Sequence, residues 1–288
     1  MLLRWLANNY LREAAETHLR DAVAGTLQPA ARQKPGELAP PCDVAFVFAL
    51  GIEAGGLIDK LQDSSTARGP SFLEHSGVIG GKEIVIAESG MGADAAAKTT
   101  ADVIEFHQPA WVVSAGFAGA LTDDLKRGHF LMADQVVDLA GRRLDVGLKL
   151  APETVAATKG LHVGRLLTVD RLIRTQAHKR QLNTAHAAVA CDMETFAVAE
   201  TCRKLGTRFL SVRVISDSVE DELSKEIERL MKQTTLTGKL GAAAKALISR
   251  PQSAAEMWKL QEDALKASDR LAKYLVSMLP QLVAKPTV

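Results

Sequence analysis

The amino-acid sequence predicts an α/β fold, a largely parallel or mixed central sheet flanked by helices, with helical extensions at both ends. Two observations carry this expectation. Short apolar runs rich in β-branched residues alternate with stretches of helical period, the order that builds βαβ units. Three of those runs also stop at an acid: Val44–Leu50 leads through Gly51 to Glu53, Ala187–Cys191 leads to Asp192-Met193-Glu194, and Phe209–Ile215 leads to Asp217. In a parallel sheet the strand carboxyl ends share one edge, where ligands bind. Like charges gathered there raise one another's pKa and cost stability, so their convergence points to a site rather than to structure.

The organising stretch is Arg208–Asp217, RFLSVRVISD. Phe209, Val212, Val214 and Ile215 favour a strand, and no Pro or Gly interrupts them. Asp217 stands where that strand should surface. Its plain structural reading is a helix N-cap, since Asp caps well and an acidic stretch follows.

In chain order, residues 1–24 have a rough helical period set by Leu2, Leu3, Leu6, Tyr10, Ala14 and Leu19. Residues 25–41 are a Pro-rich linker. Strand 1 is Val44–Leu50, followed by a helix through Leu61 and a loop over Asp63–Pro70. A hairpin turns about Gly80-Gly81 into EIVIAES, and Gly90-Met91-Gly92 opens the helix Ala93–His107. Further strands are expected at Trp111–Ala115, His129–Val137 and Leu161–Val169. Helices are expected at Arg171–Leu182 and Met193–Leu205, the second closed by Gly206. Leu139–Thr154 reads as loop with one strand at most. Beyond Glu220 the Ala, Lys, Glu and Leu content predicts helices at Leu223–Lys232, Thr237–Ser249 and Ser253–Leu279. The expected division is therefore 1–41 helix and linker, 42–220 α/β domain, and 221–288 helical extension packing on it.

The net charge of +1 over 288 residues gives no electrostatic case for nucleic acid. Arg142-Arg143 and Lys179-Arg180 read as solvated faces. Cys42, Cys191 and Cys202 lack metal-ligand spacing and read as small buried hydrophobes of a reducing, cytoplasmic setting. No run of about 18 apolar residues exists, so no integral membrane segment is expected. The motifs GxSxG and HExxH are absent. Gly90–Ala95 fits G-x-G-x-x-A, but the next strand ends in small residues instead of the acid that holds a dinucleotide ribose. The glycines then serve a tight strand-to-helix turn.

FALGIEAGGL, ESGMGADAAA, SAGFAGAL, CDMETFAVAETC and SVRVISD, in this order, resemble the nucleoside phosphorylase/nucleosidase superfamily. The nearest likeness is to the 5′-methylthioadenosine/S-adenosylhomocysteine nucleosidases. The resemblance runs from about Val44 to Asp217. It implies a nucleoside-phosphorylase-like sheet, a homodimer, a small-molecule nucleoside substrate and no cofactor or metal. It also implies roles. Asp217 protonates the purine at N7, and Glu53 orients or deprotonates the attacking water. Glu194 holds the ribose hydroxyls, Met193 packs on the sugar, and Leu172 and Ile173 meet the base. Ala118 and Gly119 border the water or anion subsite, and Arg213 lies beside the acid.

The chemistry agrees with such a pair of carboxyls, since N-glycosidic cleavage passes through an oxocarbenium-like sugar. Acidic neighbours and desolvation would keep Asp217 protonated, and Arg213 would oppose that if it touched Asp217. Related phosphorylases carry an arginine and a hydroxyl at the positions of Ser114 and Phe117. A phenylalanine does not bind phosphate, which favours water as nucleophile. Leu172 replaces a stacking aromatic, and the segment after Asp138 is short and basic, so the 5′ group extends to larger ones, as in futalosine or adenosylhopane. The alternatives are a phosphate-dependent purine nucleoside phosphorylase, a nucleoside-binding protein without turnover, and a dinucleotide oxidoreductase.

Overall fold

In the computed structural model the described residues are 42–69, 72–147, 150–223 and 251–282. The chain divides into two units, Met1–Pro40 and Pro41–Val288, and the described residues all lie in the second. The expected N-terminal helix and linker, and the helices at 223–232 and 237–249, fall outside the described residues except for Leu223.

The strands are β1 (Val44–Phe48), β2 (Gln62–Arg68), β3 (Leu73–Ile79), β4 (Lys82–Glu88), β5 (Trp111–Ala120), β6 (Phe130–Asp138), β7 (Arg143–Asp145), β8 (Leu161–Thr168), β9 (Ala190–Asp192) and β10 (Arg208–Asp217). The helices are α1 (Gly51–Ile58), α2 (Ala93–His107), α3 (Pro152–Ala157), α4 (Gln176–His186), α5 (Thr195–Leu205) and α6 (Pro251–Leu282). The strands form one mixed sheet in the order β10-β6-β8-β9-β5-β1-β4-β3-β2, with β7 on β6 and β10 also paired to β5. That last pairing closes β5, β10, β6, β8 and β9 into a ring, and β1 to β4 continue from it as an open wing.

The alternation of side chains explains the two layers. Along β1, Val44, Phe46 and Phe48 enter a cluster with Leu57 of α1 and with Leu271, Leu275 and Leu279 of α6. Ala45 and Val47 enter another with Ala96 and Val103 of α2 and with Val198 and Cys202 of α5. A strand apolar at every position is thereby buried on both faces, as β1 is. The three thiols are buried and unpaired. Burial pushes those of Cys42 and Cys202 up to about 12, so they pack as hydrophobes.

Several expectations are corrected. Gln62–Arg68 is not a loop but the exposed edge strand β2, paired antiparallel to β3. Its polar sequence hid it, because an edge strand exposed along its whole length has no apolar face to announce it. The helix before it stops at Ile58. α4 starts at Gln176, five residues later than expected, where Thr175 Oγ1 accepts a hydrogen bond from His178 N as its cap. Leu139–Thr154 holds one strand, β7, and also the start of the short α3, a helix not expected there. The acids also do not meet by strand direction alone. β1 and β10 run parallel to β5, but β9 runs antiparallel to it. Ring closure, not a shared parallel edge, brings β9 to the end of β5. Among the described residues no helix is long and apolar enough to cross a membrane.

Candidate active site

Glu53 is the third residue of α1 and only 6% exposed. The β1–α1 turn is short, so the helix begins over the strand end. Glu53 Oε2 accepts from Leu50 N at 2.9 Å, the reach-back half of a capping box. Its Oε1 accepts from Phe117 N of β5 at 2.8 Å. Burial holds its carboxyl above the usual carboxylate range, with Arg213 and the backbone donors opposing.

β5 bends at Gly116, whose φ of +153° lies in the region open to glycine. A side chain there would also collide: its Cβ would fall 2.5 Å from Arg213 Nη1 and 2.7 Å from Glu53 Oε1. Gly116 is thus the gap through which the guanidinium and the carboxylate approach each other. Arg213 is 2% exposed and turns toward β9. Its Nη2 meets Asp192 Oδ2 at 2.7 Å and donates to Ser114 Oγ and Thr195 Oγ1 at 2.6 Å each. Asp192 also accepts from Thr168 Oγ1 at 2.8 Å and from Thr195 N at 3.0 Å. Arg213 Nε is buried without a hydrogen-bond partner among the described residues, which leaves a charged donor in the cluster.

Glu194 caps α5 and crosses to the glycine turn, where its Oε1 accepts from Gly92 N at 2.8 Å. Gly92 has a φ of +97°, so the G-M-G turn presents a backbone N–H that another residue would present only under strain. Burial, then the neighbouring charges of Asp192 and Glu53, raise the Glu194 carboxyl to about 8. Met193 packs against the apolar cluster of Leu121, Val169, Ile173, Leu182 and Cys191. Ile173 is buried in that cluster, whereas Leu172 beside it is half-buried.

Asp217 ends β10 opposite Gly119 of β5 and is 8% exposed. A Cβ on Gly119 would lie 3.0 Å from Asp217 Oδ2. Asp217 Oδ1 accepts from Ser216 Oγ at 2.7 Å. Arg213 binds Asp192, not Asp217, yet a cation does reach Asp217. Lys179 Nζ lies 2.5 Å from its Oδ2. This corrects two expectations. Lys179 is not on a solvated face but has no exposed surface, unlike Arg180 next to it. And the neighbour that dominates Asp217 is an ammonium rather than an acid. The signal was present in α4: Lys179 and Leu182 are its two buried residues, three apart on one helical face.

The structure thus brings Glu53 and Asp217 to the end of β5, where Phe117, Ala118 and Gly119 lie, with Glu194 and Arg213 beside Glu53. Glu53 contacts Phe117 and Asp217 faces Gly119. Gly116 and Gly119 are three strand residues apart, about 10 Å in extended backbone.

A family model described as the phosphorylase superfamily matches residues 43–249. A 5′-methylthioadenosine/S-adenosylhomocysteine nucleosidase of Shewanella piezotolerans is 25% identical over 209 residues, covering 64% of this chain and 90% of that protein. One of Shewanella sp. strain MR-7 is 28% identical over 203 residues, covering 62% and 85%. Among solved structures, the S-adenosylhomocysteine nucleosidase of Streptococcus pyogenes aligns with a TM-score of 0.63 and 21% identity, covering 84% of this chain and 98% of that one. The futalosine hydrolase of Helicobacter pylori aligns with a TM-score of 0.63 and 21% identity, covering 83% and 98%. At that identity the two structures establish the fold alone. The family match spans more than half of the 288 residues, and the chain belongs to the phosphorylase superfamily.

Proposed function

We propose that the chain hydrolyses the N-glycosidic bond of a purine nucleoside with a modified 5′ group, of the methylthioadenosine or adenosylhomocysteine class. Water attacks the anomeric carbon and gives its proton to Glu53. The bond to N9 breaks, and Asp217 protonates the leaving base at N7. The products are free base and the 5′-modified ribose. Glu194 takes the ribose hydroxyls and Met193 packs on the sugar. Leu172 and Ile173 meet the base, while Ala118 and Gly119 border the water and the acid, and Arg213 lies beside Glu53. The relatives named above, matched over most of their length, support the substrate class.

The observation that carries hydrolysis over phosphorolysis is the 2.8 Å bond from Phe117 N to Glu53 Oε1. The backbone donor that would greet a phosphate is taken by a carboxylate, and two anions there would repel. Ser114 Oγ is likewise engaged by Arg213. The raised Glu53 carboxyl suits a general base, whose efficiency is greatest near the working pH.

The test is release of base from methylthioadenosine, adenosylhomocysteine, futalosine and inosine, each with and without phosphate. Strict phosphate dependence rejects the hydrolase, and tight binding without turnover rejects the enzyme. The proposed domain is 42–220, with 221–288 as an extension packed on it. The proposed assembly is a homodimer in a cytoplasmic setting. A sedimentation mass of one chain rejects the dimer.

A further inference from the structure

Lys179 is the only lysine with no exposed surface among the described residues. Burying an ammonium is costly unless partners offset the lost hydration. Its three N–H donors meet three acceptors: Asp217 Oδ2 at 2.5 Å, Ser218 O at 2.7 Å and Asp221 O at 3.1 Å. No donor is left over, so Lys179 has nothing to offer a substrate directly. Its position is nonetheless specific. It grips the carboxylate oxygen that faces Gly119, while Ser216 Oγ holds the other oxygen.

We propose that Lys179 is a positioning residue for Asp217, fixing the orientation of the carboxylate and tying the Ser218–Asp221 turn to it. The proposal rests on the acid role given to Asp217 above. Two links connect the ammonium to that role. A carboxylate held at both oxygens keeps one rotamer, so its free lone pairs aim in one direction. The two carbonyls bound by Lys179 belong to the turn that follows the acid. That turn is closed on itself by Ser218 N and Oγ donating to Asp221 Oδ2 at 2.7 Å each, and Arg127 Nε donates to the same oxygen at 2.8 Å. The acid and the chain that leaves it therefore move together or not at all.

A purely structural ion pair would make no demand on kcat as against KM. A positioning role makes several. Lys179→Met should lower kcat for base release at pH 7 by about 10- to 100-fold, the scale of a misplaced catalytic group, with KM within about threefold. Lys179→Arg keeps the charge and a donor for Asp217 and should recover part of kcat, with KM again within about threefold. In an Asp217→Asn background, Lys179→Met should change kcat less than about threefold, since residues acting as one unit are non-additive. Should Lys179→Met fail to melt cooperatively, Lys179→Gln keeps two N–H donors for the carbonyls and carries the same readouts. A folded neutral variant with wild-type kcat overturns the role of Lys179 while leaving the nucleosidase reading intact. A wild-type protein that releases base from none of the four nucleosides overturns both.

Discussion

Glu53 Oε1 accepts a hydrogen bond from the backbone N–H of Phe117 at 2.8 Å, joining the first turn of α1 to the end of β5. The same carboxylate closes its own helix through Leu50 N at 2.9 Å. Its geometry is thus set by two backbone donors, and side-chain substitution separates position from basicity. Glu53→Gln retains an acceptor for one donor but has no proton affinity near neutral pH. Base release should fall by about 100- to 10,000-fold. Affinity for a non-hydrolysable nucleoside should stay within about tenfold, measured by calorimetry. Unchanged turnover would remove Glu53 from the mechanism.

Gly116 has no room for a side chain between Arg213 and Glu53. Gly116→Ala places a methyl 2.5 Å from Arg213 Nη1 and 2.7 Å from Glu53 Oε1, at a φ of +153°. Both groups are buried, so neither can swing into solvent. The variant should lose about 1–3 kcal/mol of stability in urea unfolding and most of its activity. A stable, fully active Gly116→Ala would mean that Glu53 and Arg213 need not approach each other.

How much of this was legible in the sequence depends on what each element buries. β1, β5 and β10 are apolar along most of their length and announce themselves. β2 buries nothing and was read as loop. Of the site, the three acids were visible because each ends an apolar run. Lys179 was missed because charge next to charge, Lys179-Arg180, reads as surface. Only the helical phase separates the residue facing Asp217 from its neighbour, which pairs with Asp123 outside. The ring closure of the sheet was illegible too, because it rests on a long-range pairing of β10 with β5 that no local pattern encodes.

Glu194 supplies a pH dependence of stability. Its carboxyl lies at about 8 in the folded protein, raised from 4.5 by burial and by Asp192. Between those values the folded state binds more protons than the unfolded state. The contribution is therefore complete below about 4.5 and is lost as pH rises through about 8. Stability of the unliganded protein should fall over that window, with a slope of at most about 1.4 kcal/mol per pH unit from this one group. Glu194→Gln should flatten the dependence in chemical unfolding followed from pH 5 to 8.5. A wild-type slope retained in full would assign it elsewhere.

Arg213 and Asp192 form a buried pair with Ser114 and Thr195 as satellites. Such a pair adds little beyond apolar packing, but breaking it strands a charge. Arg213→Met leaves Asp192 with only neutral donors and should cost about 3–5 kcal/mol in denaturant unfolding. Arg213→Met combined with Asp192→Leu should recover part of that loss. Equal instability of the single and double variants would show that packing, not the stranded charge, sets the cost.

α6 steadies the helix that carries Glu53. α1 meets α6 at Gly56, where Ser268 Oγ accepts from Gly56 N at 3.0 Å and donates to Glu53 O at 3.0 Å. A Cβ on Gly56 would lie 2.8 Å from Ser268 O and 2.9 Å from Ser268 C, both backbone atoms that cannot rotate aside. Gly55, one residue earlier, has nothing within 4 Å of its Cβ position. The two glycines are thus an internal control. Gly55→Ala should stabilise by about 0.5–1 kcal/mol, the usual gain of alanine inside a helix. Gly56→Ala should destabilise by about 1–3 kcal/mol, because α6 must move off α1 to admit the methyl. The displaced α1 carries Glu53, so kcat should fall for Gly56→Ala and stay level for Gly55→Ala. Thermal melts and base-release assays on the pair decide it, and equal behaviour of the two variants would deny α6 any hold on the carboxylate.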